Sequence, residues 1–263
     1  MNILVTGAAN GIGAAITEAA ASGGHSVVAA DLDLAALETR WQGNKSITPV
    51  ALDVTSAEAW ADLAQQFEQQ RRPIDVLINV AGVLRSGPAG ELAATDVHLM
   101  IDVNVKGVIF GTNALAPAMI KRKAGHIINV GSIAALFPTP GTTVYAASKF
   151  AVRGFSLAAA GDLRPHGVAV TLFGPGPVRT AMLELQRGDA NAALTFSRGR
   201  ALTPDEVAAA ILGPVLKKRP LEYYVPWSDG LLGKLCNSFP KLFFSQLKRA
   251  RKRGAENFGS DAF

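Results

Sequence analysis

Residues 2–31, NILVTGAANGIGAAITEAAASGGHSVVAAD, decide the fold. ILVT is a short apolar run of strand type, and Thr6-Gly7-Ala8-Ala9-Asn10-Gly11-Ile12-Gly13 follows it directly. AAITEAAA then favours helix, and HSVVAAD returns as a second strand ending on Asp31. Strand, glycine turn, helix and strand in so short a span make a βαβ unit. The glycines let the backbone turn tightly and approach a pyrophosphate, to which the helix N-terminus offers free N–H groups. An acid about twenty residues further on can accept hydrogen bonds from a ribose diol. Asp31 would repel a 2′-phosphate, and no Lys or Arg stands at Asn10 or just after Asp31. NAD is therefore expected in preference to NADP.

The same alternation runs on. SITPVALDV reads as a third strand ending at Asp53-Val54, with a helix from about Ser56 to Gln70. PIDVLINVAG is a fourth strand ending in Asn79-Val80-Ala81-Gly82, small residues against which a cofactor ring could lie. Asp53 could equally be a helix-capping acid, and Gly82 a simple turn. A long helical stretch from about Thr95 to Lys123 carries Asn104 and Gly107 in its middle, poor interior helix residues that predict a kink or a functional exception. GHIINVGS and GVAVTLFGPG are the fifth and sixth strands, with LEYYVP as an edge strand. The class is α/β, a doubly wound parallel sheet of the Rossmann type. Gly7–Gly13, Asp31, Asp53, Asn79, Ser132 and Gly174–Thr180 all fall at the carboxyl ends of strands, where such sheets bind ligands.

Between the fifth and sixth strands lies SIAALFPTPGTTVYAASK, Ser132 to Lys149. Tyr145 and Lys149 stand four apart on an Ala-rich helix and so share a face. The ammonium should stabilise phenolate and lower a pKa near ~10, fitting Tyr145 to exchange protons with an alcohol or carbonyl. Ser132 could hydrogen-bond the same oxygen. A buried Tyr and a surface Lys that merely share a helix would give the same spacing.

One cysteine, Cys236, excludes an internal disulfide and fits a reducing, cytoplasmic setting. The first residues run straight into a strand, so neither a signal peptide nor a transmembrane span is expected. From Pro214 onward ten Lys or Arg face four Asp or Glu, which puts the whole net charge of +5 in the tail and argues against a nucleic-acid surface. The reading is one domain over residues 1–227, an irregular and mobile substrate lid over about 180–203, and a basic amphipathic extension over 228–263 whose end, from about Gly254, is frayed. Thr203-Pro204-Asp205-Glu206 has capping-box spacing. On the extension Phe239, Phe243, Leu247 and Ala250 share a helical face with Phe244 at its edge, and Lys241, Lys248, Arg249 and Lys252 lie opposite. Such a helix can lie on an anionic membrane surface, or pack its stripe on its own subunit or a neighbour.

These motifs, in this order, resemble those of the short-chain dehydrogenase/reductase superfamily over about residues 2–227. Thr6-Gly7, Gly11 and Gly13 match its T-G-x-x-x-G-x-G turn, and Asn79-Val80-Ala81-Gly82 resembles N-N-A-G with Val for the second Asn. The resemblance implies a tetrad of Asn104, Ser132, Tyr145 and Lys149. Asn104 would anchor a proton-passing water, and Lys149 would hold the nicotinamide ribose. Cofactor contacts implied are Gly7, Asn10, Gly11, Ile12, Gly13, Asp31, Asp53, Val54, Asn79, Ala81, Gly82, Tyr145, Lys149, Pro175, Gly176, Val178 and Thr180. It further implies a homodimer or homotetramer, through the long helices of Asn104 and Tyr145, and no metal. The activity expected is oxidoreduction between a secondary alcohol and a ketone, running towards oxidation with NAD. Leu84, Phe137, Met182 and Leu183, with Pro138, Leu185, Leu194 and Phe196, predict an apolar pocket for a steroid, retinoid or lipid-like substrate. Arg85, Arg179, Arg187 and Arg198 remain candidates for binding an acid. The alternatives are a reductase of acyl thioesters, sugars or other polar carbonyls, and a non-catalytic NAD-binding regulator.

Overall fold

The computed structural model describes residues 1–197 and 199–263, and of Leu242 the backbone alone. β1 (Asn2–Thr6) leads to α1 (Gly11–Ser22) and β2 (Ser26–Asp31), then α2 (Leu34–Arg40), β3 (Ile47–Ala51), α3 (Ala57–Gln69) and β4 (Val76–Asn79). α4 (Ala94–Ile101), a π-helical turn over Asp102–Lys106 and α5 (Gly107–Arg122) run on as one rod into β5 (Gly125–Val130). α6 (Thr143–Leu163), β6 (Val168–Pro175), α7 (Ala181–Glu184), α8 (Pro204–Ala210), α9 (Leu216–Lys218) and β7 (Glu222–Val225) follow. α10 (Trp227–Ser238) and α11 (Pro240–Glu256) come last.

The strands form one sheet in the order β3-β2-β1-β4-β5-β6-β7, each pair parallel. Period-two alternation sends neighbouring side chains to opposite faces. Ile3 and Val5 thus pack towards α1 and α8, while Leu4 packs towards α3, α5 and α6. The strand order reverses between β1 and β4, which opens a crevice at their carboxyl ends. The doubly wound expectation holds.

Local signals also hold. Ser56 caps α3 by accepting from the Ala59 N–H at 3.1 Å, and Thr203 and Glu206 form the capping box of α8. The awkward Asn104 sits in the π-helical turn, where one extra residue per turn re-aims a side chain. The rod Ala94–Arg122 is the one helix among the described residues long and apolar enough to cross a membrane. It is instead a helix of the sheet's flank, with Met100, Val108, Leu115 and Met119 all buried.

Two expectations about the last third are corrected. The lid is not irregular: α7 and 3₁₀ turns over Ala190–Phe196 order it, with Asp189 accepting from the Asn191 N–H at 2.8 Å. Nor is the tail frayed. Phe258 and Phe263 close on Phe196 with ring centroids 5.1 and 5.3 Å away, and the Ala201 N–H donates to the Ala262 carbonyl at 2.8 Å. Three aromatic rings brought out of water at one spot outweigh the entropy of ordering a short terminus.

Candidate active site

The crevice holds a mostly apolar cavity of about 720 Å³. Ser132, at the end of β5, and Tyr145 and Lys149, on the first turns of α6, line its floor. The Ser132 hydroxyl accepts from the Ala134 N–H at 3.1 Å, which fixes its direction, and stands near enough to the Tyr145 phenol to act on its titration. Lys149 is buried, donates to the Val130 carbonyl at 3.2 Å, and lies 5.6 Å from the Tyr145 ring centroid.

The expected lowering of the Tyr145 pKa is not what this geometry produces. Burial pushes the phenol up to about 12, with nearby Ser132 working against it. Burial also lowers Lys149 to about 8. A cation over the ring, rather than beside the hydroxyl, does little for phenolate. In this arrangement Tyr145 holds its proton and is a donor.

Asn104 is fully buried and already engaged. Its amide donates to the Val83 carbonyl at 2.9 Å and to Ser148 Oγ at 3.0 Å, and its Oδ1 accepts from the Val83 N–H at 2.8 Å. It clamps the loop after β4 onto α6, leaving one lone pair for anything else. Ser148 passes the constraint on, donating to the Tyr145 carbonyl at 2.7 Å. Sequence reasoning missed Ser148, although its place between Tyr145 and Lys149 was open to view.

The glycine turn fits a dinucleotide. Gly7 and Gly11 have positive φ, 67° and 54°, and a Cβ on Gly13 would strike the Gly7 carbonyl oxygen. That leaves bare backbone at the N-terminus of α1, the surface a pyrophosphate needs. Thr6 Oγ1 accepts from the N–H groups of Val80 and Ala81 at 2.9 and 3.1 Å, pinning this turn to the end of β4. Ile12, Gly82, Pro175, Gly176, Val178 and Thr180 line the main cavity as expected, and a Cβ on Gly11 would lie 3.1 Å from Thr180 Cγ2. A second, shallow cleft of Ala9, Asn10, Asp33, Ala36, Thr39 and Arg40 continues past the turn.

Other expected cofactor contacts have protein partners here. Asn79 is buried in a polar ladder, its amide donating to Asn129 Oδ1 at 2.9 Å, and Asn129 in turn to Ser156 Oγ at 2.9 Å. Val54 packs beneath Gly107 and gives its carbonyl to the Trp60 indole at 3.2 Å. Asp53 accepts from the Thr55 N–H and hydroxyl at 2.8 and 2.7 Å, a turn ahead of α3, whose cap is Ser56. Asp31 accepts from the Ala9 N–H at 3.0 Å, so its carboxylate braces the turn itself.

Of the substrate residues, Leu84, Phe137, Met182, Leu183 and Leu194 line the cavity with Ser132 and Tyr145. Pro138 does not, Leu185 points outward at 78% exposure, and Phe196 is spent on the tail cluster. Arg85 pairs with Asp96 at 3.4 Å outside the cavity. Arg179 donates to the Asp261 carbonyl at 2.8 Å, and Arg187 donates to the main-chain oxygens of Phe258 and Phe263. Both hold the tail. Arg198 lies outside the described residues.

The largest surprise is overhead. α10 and α11 cross the cavity, contributing Leu232, Leu235, Phe243, Gln246, Arg249 and Arg253 among others. Phe243 meets Phe137 with ring centroids 6.0 Å apart. Phe243 and Ala250 of the stripe therefore pack on their own subunit while Phe239 and Phe244 stay exposed, and Arg249, placed opposite that stripe by the sequence, faces the cavity.

The model of the short chain dehydrogenase family matches residues 1–191. The chain belongs to that family. This dehydrogenase is 36% identical over 216 residues to the NADP-dependent 3-hydroxy acid dehydrogenase of Salmonella typhi, covering 80% of this chain and 87% of the relative. It is 35% identical over 215 residues to the 3-oxoacyl acyl-carrier-protein reductase of Thermotoga maritima, covering 80% and 87%. Among solved structures it is similar to the closed form of serine dehydrogenase complexed with NADP+, with a TM-score of 0.76, 33% identity, and coverage of 85% of this chain and 94% of the other. The expected preference of this dehydrogenase for NAD is corrected by these relatives, two of which carry NADP in their names. With it falls the oxidising direction inferred from NAD. The reading rested on Asp31 alone and took no account of Arg40, which the fold brings to the cleft beside Asn10.

Proposed function

We propose that the chain interconverts a secondary alcohol and a ketone on an apolar substrate, using NADP(H). The observation that carries this reading is the cavity, a mostly apolar chamber whose floor places Ser132 and Tyr145 beside buried Lys149. The two-carboxyl-end convergence of the glycine turn and residues 175–180 supports a dinucleotide lying along the same crevice. The bound nicotinamide supplies or takes the hydride.

The chain's own residues do the rest. Ser132 and Tyr145 hydrogen-bond the substrate oxygen. In reduction Tyr145 gives its phenolic proton to that oxygen as charge develops on it, which suits a phenol held protonated by burial. Lys149, buried beside the ring and anchored on the Val130 carbonyl, would hold the nicotinamide ribose when the cofactor is bound. Asn104 and Ser148 hold this assembly through Val83 and the Tyr145 carbonyl. Arg40 brings a cation to the shallow cleft beyond the turn, where the 2′-phosphate of NADP would find it.

The outer face of α6 carries Ala147, Ala151, Gly154, Ala158 and Gly161, all exposed and all small, which supports a second copy packing there. Light scattering on the purified chain tests that. The catalytic reading is tested by following reduced cofactor with NADP and NAD separately, against secondary alcohols and ketones of increasing chain length. Turnover rising with apolar chain length supports it; turnover confined to sugars and other short polar carbonyls would overturn it.

A further inference from the structure

We propose that Arg249 and Arg253 on α11 form an anion subsite, so that the substrate is an amphiphile with an apolar body and an acidic head. This rests on the apolar-substrate reading above and narrows it. Gln246, Arg249, Ala250 and Arg253 recur at helical spacing on one face of α11, and all four line the cavity. Arg251 turns the other way and donates to the Pro140 carbonyl at 3.2 Å, and Lys252 leans to Glu256 at 4.0 Å. The two cavity arginines are thus set apart from the general basicity of the tail. Among the described residues neither is in an ion pair, and both stay exposed, at the mouth and not in the depth.

Charge and shape agree on the ligand. Asp229 of α10 also lines the cavity, so two guanidinium groups stand against one carboxylate. The walls of Leu84, Met182, Leu183 and Leu194 are apolar, broken by uncharged Gln186, Asn191 and Thr195, and the charged groups lie at floor and roof. A chamber of about 720 Å³ exceeds what a three- or four-carbon acid would fill, even with the nicotinamide end of a cofactor inside it. A guanidinium recognises a planar carboxylate through paired N–H donors. The family model ends at residue 191, so this roof lies beyond the part of the chain it matches.

The test compares binding of dodecanoate and dodecanol to the full chain by titration calorimetry, in wild type, R249A/R253A, R249K/R253K and K241A. Wild type should favour dodecanoate by about tenfold, the preference falling as salt rises. The double Ala variant should bind both alike, the double Lys variant should recover most of the preference, and K241A, exposed on the outer face, should match wild type. An unchanged preference in R249A/R253A, or an equal loss in K241A, would overturn the subsite. Turnover of uncharged secondary alcohols is read separately: its absence strikes the catalytic reading, while the binding ratio still decides the subsite.

Discussion

The floor and the roof of the cavity are built in opposite ways. On the floor, residues close in sequence meet, Gly13 pressing on the Gly7 carbonyl and Ser148 tying back to Tyr145, with a few long links such as Thr6 to Val80 and Asn104 to Ser148 bracing them. In the roof, residues far apart meet. Gly254 is buried against the Ala193 carbonyl with no room for a Cβ, Phe243 rests on Phe137, and Arg187 grips Phe263. Chemistry common to a family needs tolerances that short segments can hold by local geometry. Choice of substrate needs a wall that can vary, and a helix docked from elsewhere provides one. The difference predicts that floor substitutions act on every substrate and roof substitutions on some.

Tyr145→Phe should break the floor alone, lowering kcat by about 10²–10⁴-fold on every substrate. Cofactor affinity, measured by fluorescence titration, should stay near wild type; retained turnover would sink the role given to Tyr145. Gly13→Val forces a side chain into the Gly7 carbonyl, so cofactor binding should be lost and stability reduced by about 3 kcal/mol in denaturant titration. The matching roof substitution, Gly254→Val, should lift α11 from Ala193 at about 2 kcal/mol. Its KM should rise for long-chain substrates while the KM for cofactor holds; a loss of cofactor binding would erase the distinction between the two regions.

Glu222→Gln tests what fastens roof to sheet. Glu222 on β7 accepts from Arg153 of α6 and Lys234 of α10, each at 2.7 Å, and from Tyr224 at 2.8 Å. Burial pushes its carboxyl up, but these three donors outweigh burial and hold it near about 2. Being depressed, it contributes stability at neutral pH that is lost as pH falls through about 2. The Gln variant should lose about 1–2 kcal/mol at pH 7 and show a shallower acid limb. The smallest effect expected is on pH. Lys149, lowered by burial to about 8, loses its charge as pH rises through that value. The reduction rate should fall on that limb while Tyr145 keeps its proton, and Lys149→Arg should flatten it.

How much was legible follows the same division. The βα alternation, the caps of α3 and α8 and the oddity at Asn104 were readable, because each is a pattern within one turn or one strand. Ser132, Tyr145 and Lys149 were readable for the same reason. Asn79 and Asp53 gave no sign of their protein partners, because a polar residue at a strand end looks alike whether it meets a ligand, a ladder of Asn129 and Ser156, or its own Thr55. The end of the tail was misread as frayed because the partner of Phe258 and Phe263, Phe196, lies about sixty residues earlier in the chain.

The sequence by itself determined a doubly wound sheet, the glycine turn and the Ser132–Tyr145–Lys149 floor, since strand alternation, glycine backbone freedom and helical spacing act over a few residues. Only the tertiary structure decided that Tyr145 is held protonated, that Asp31 braces a turn, and that α11 lies over the cavity with Arg249 and Arg253 facing in. Burial and long-range packing set those outcomes. They depend on which segments exclude water from one another, and no local pattern records that.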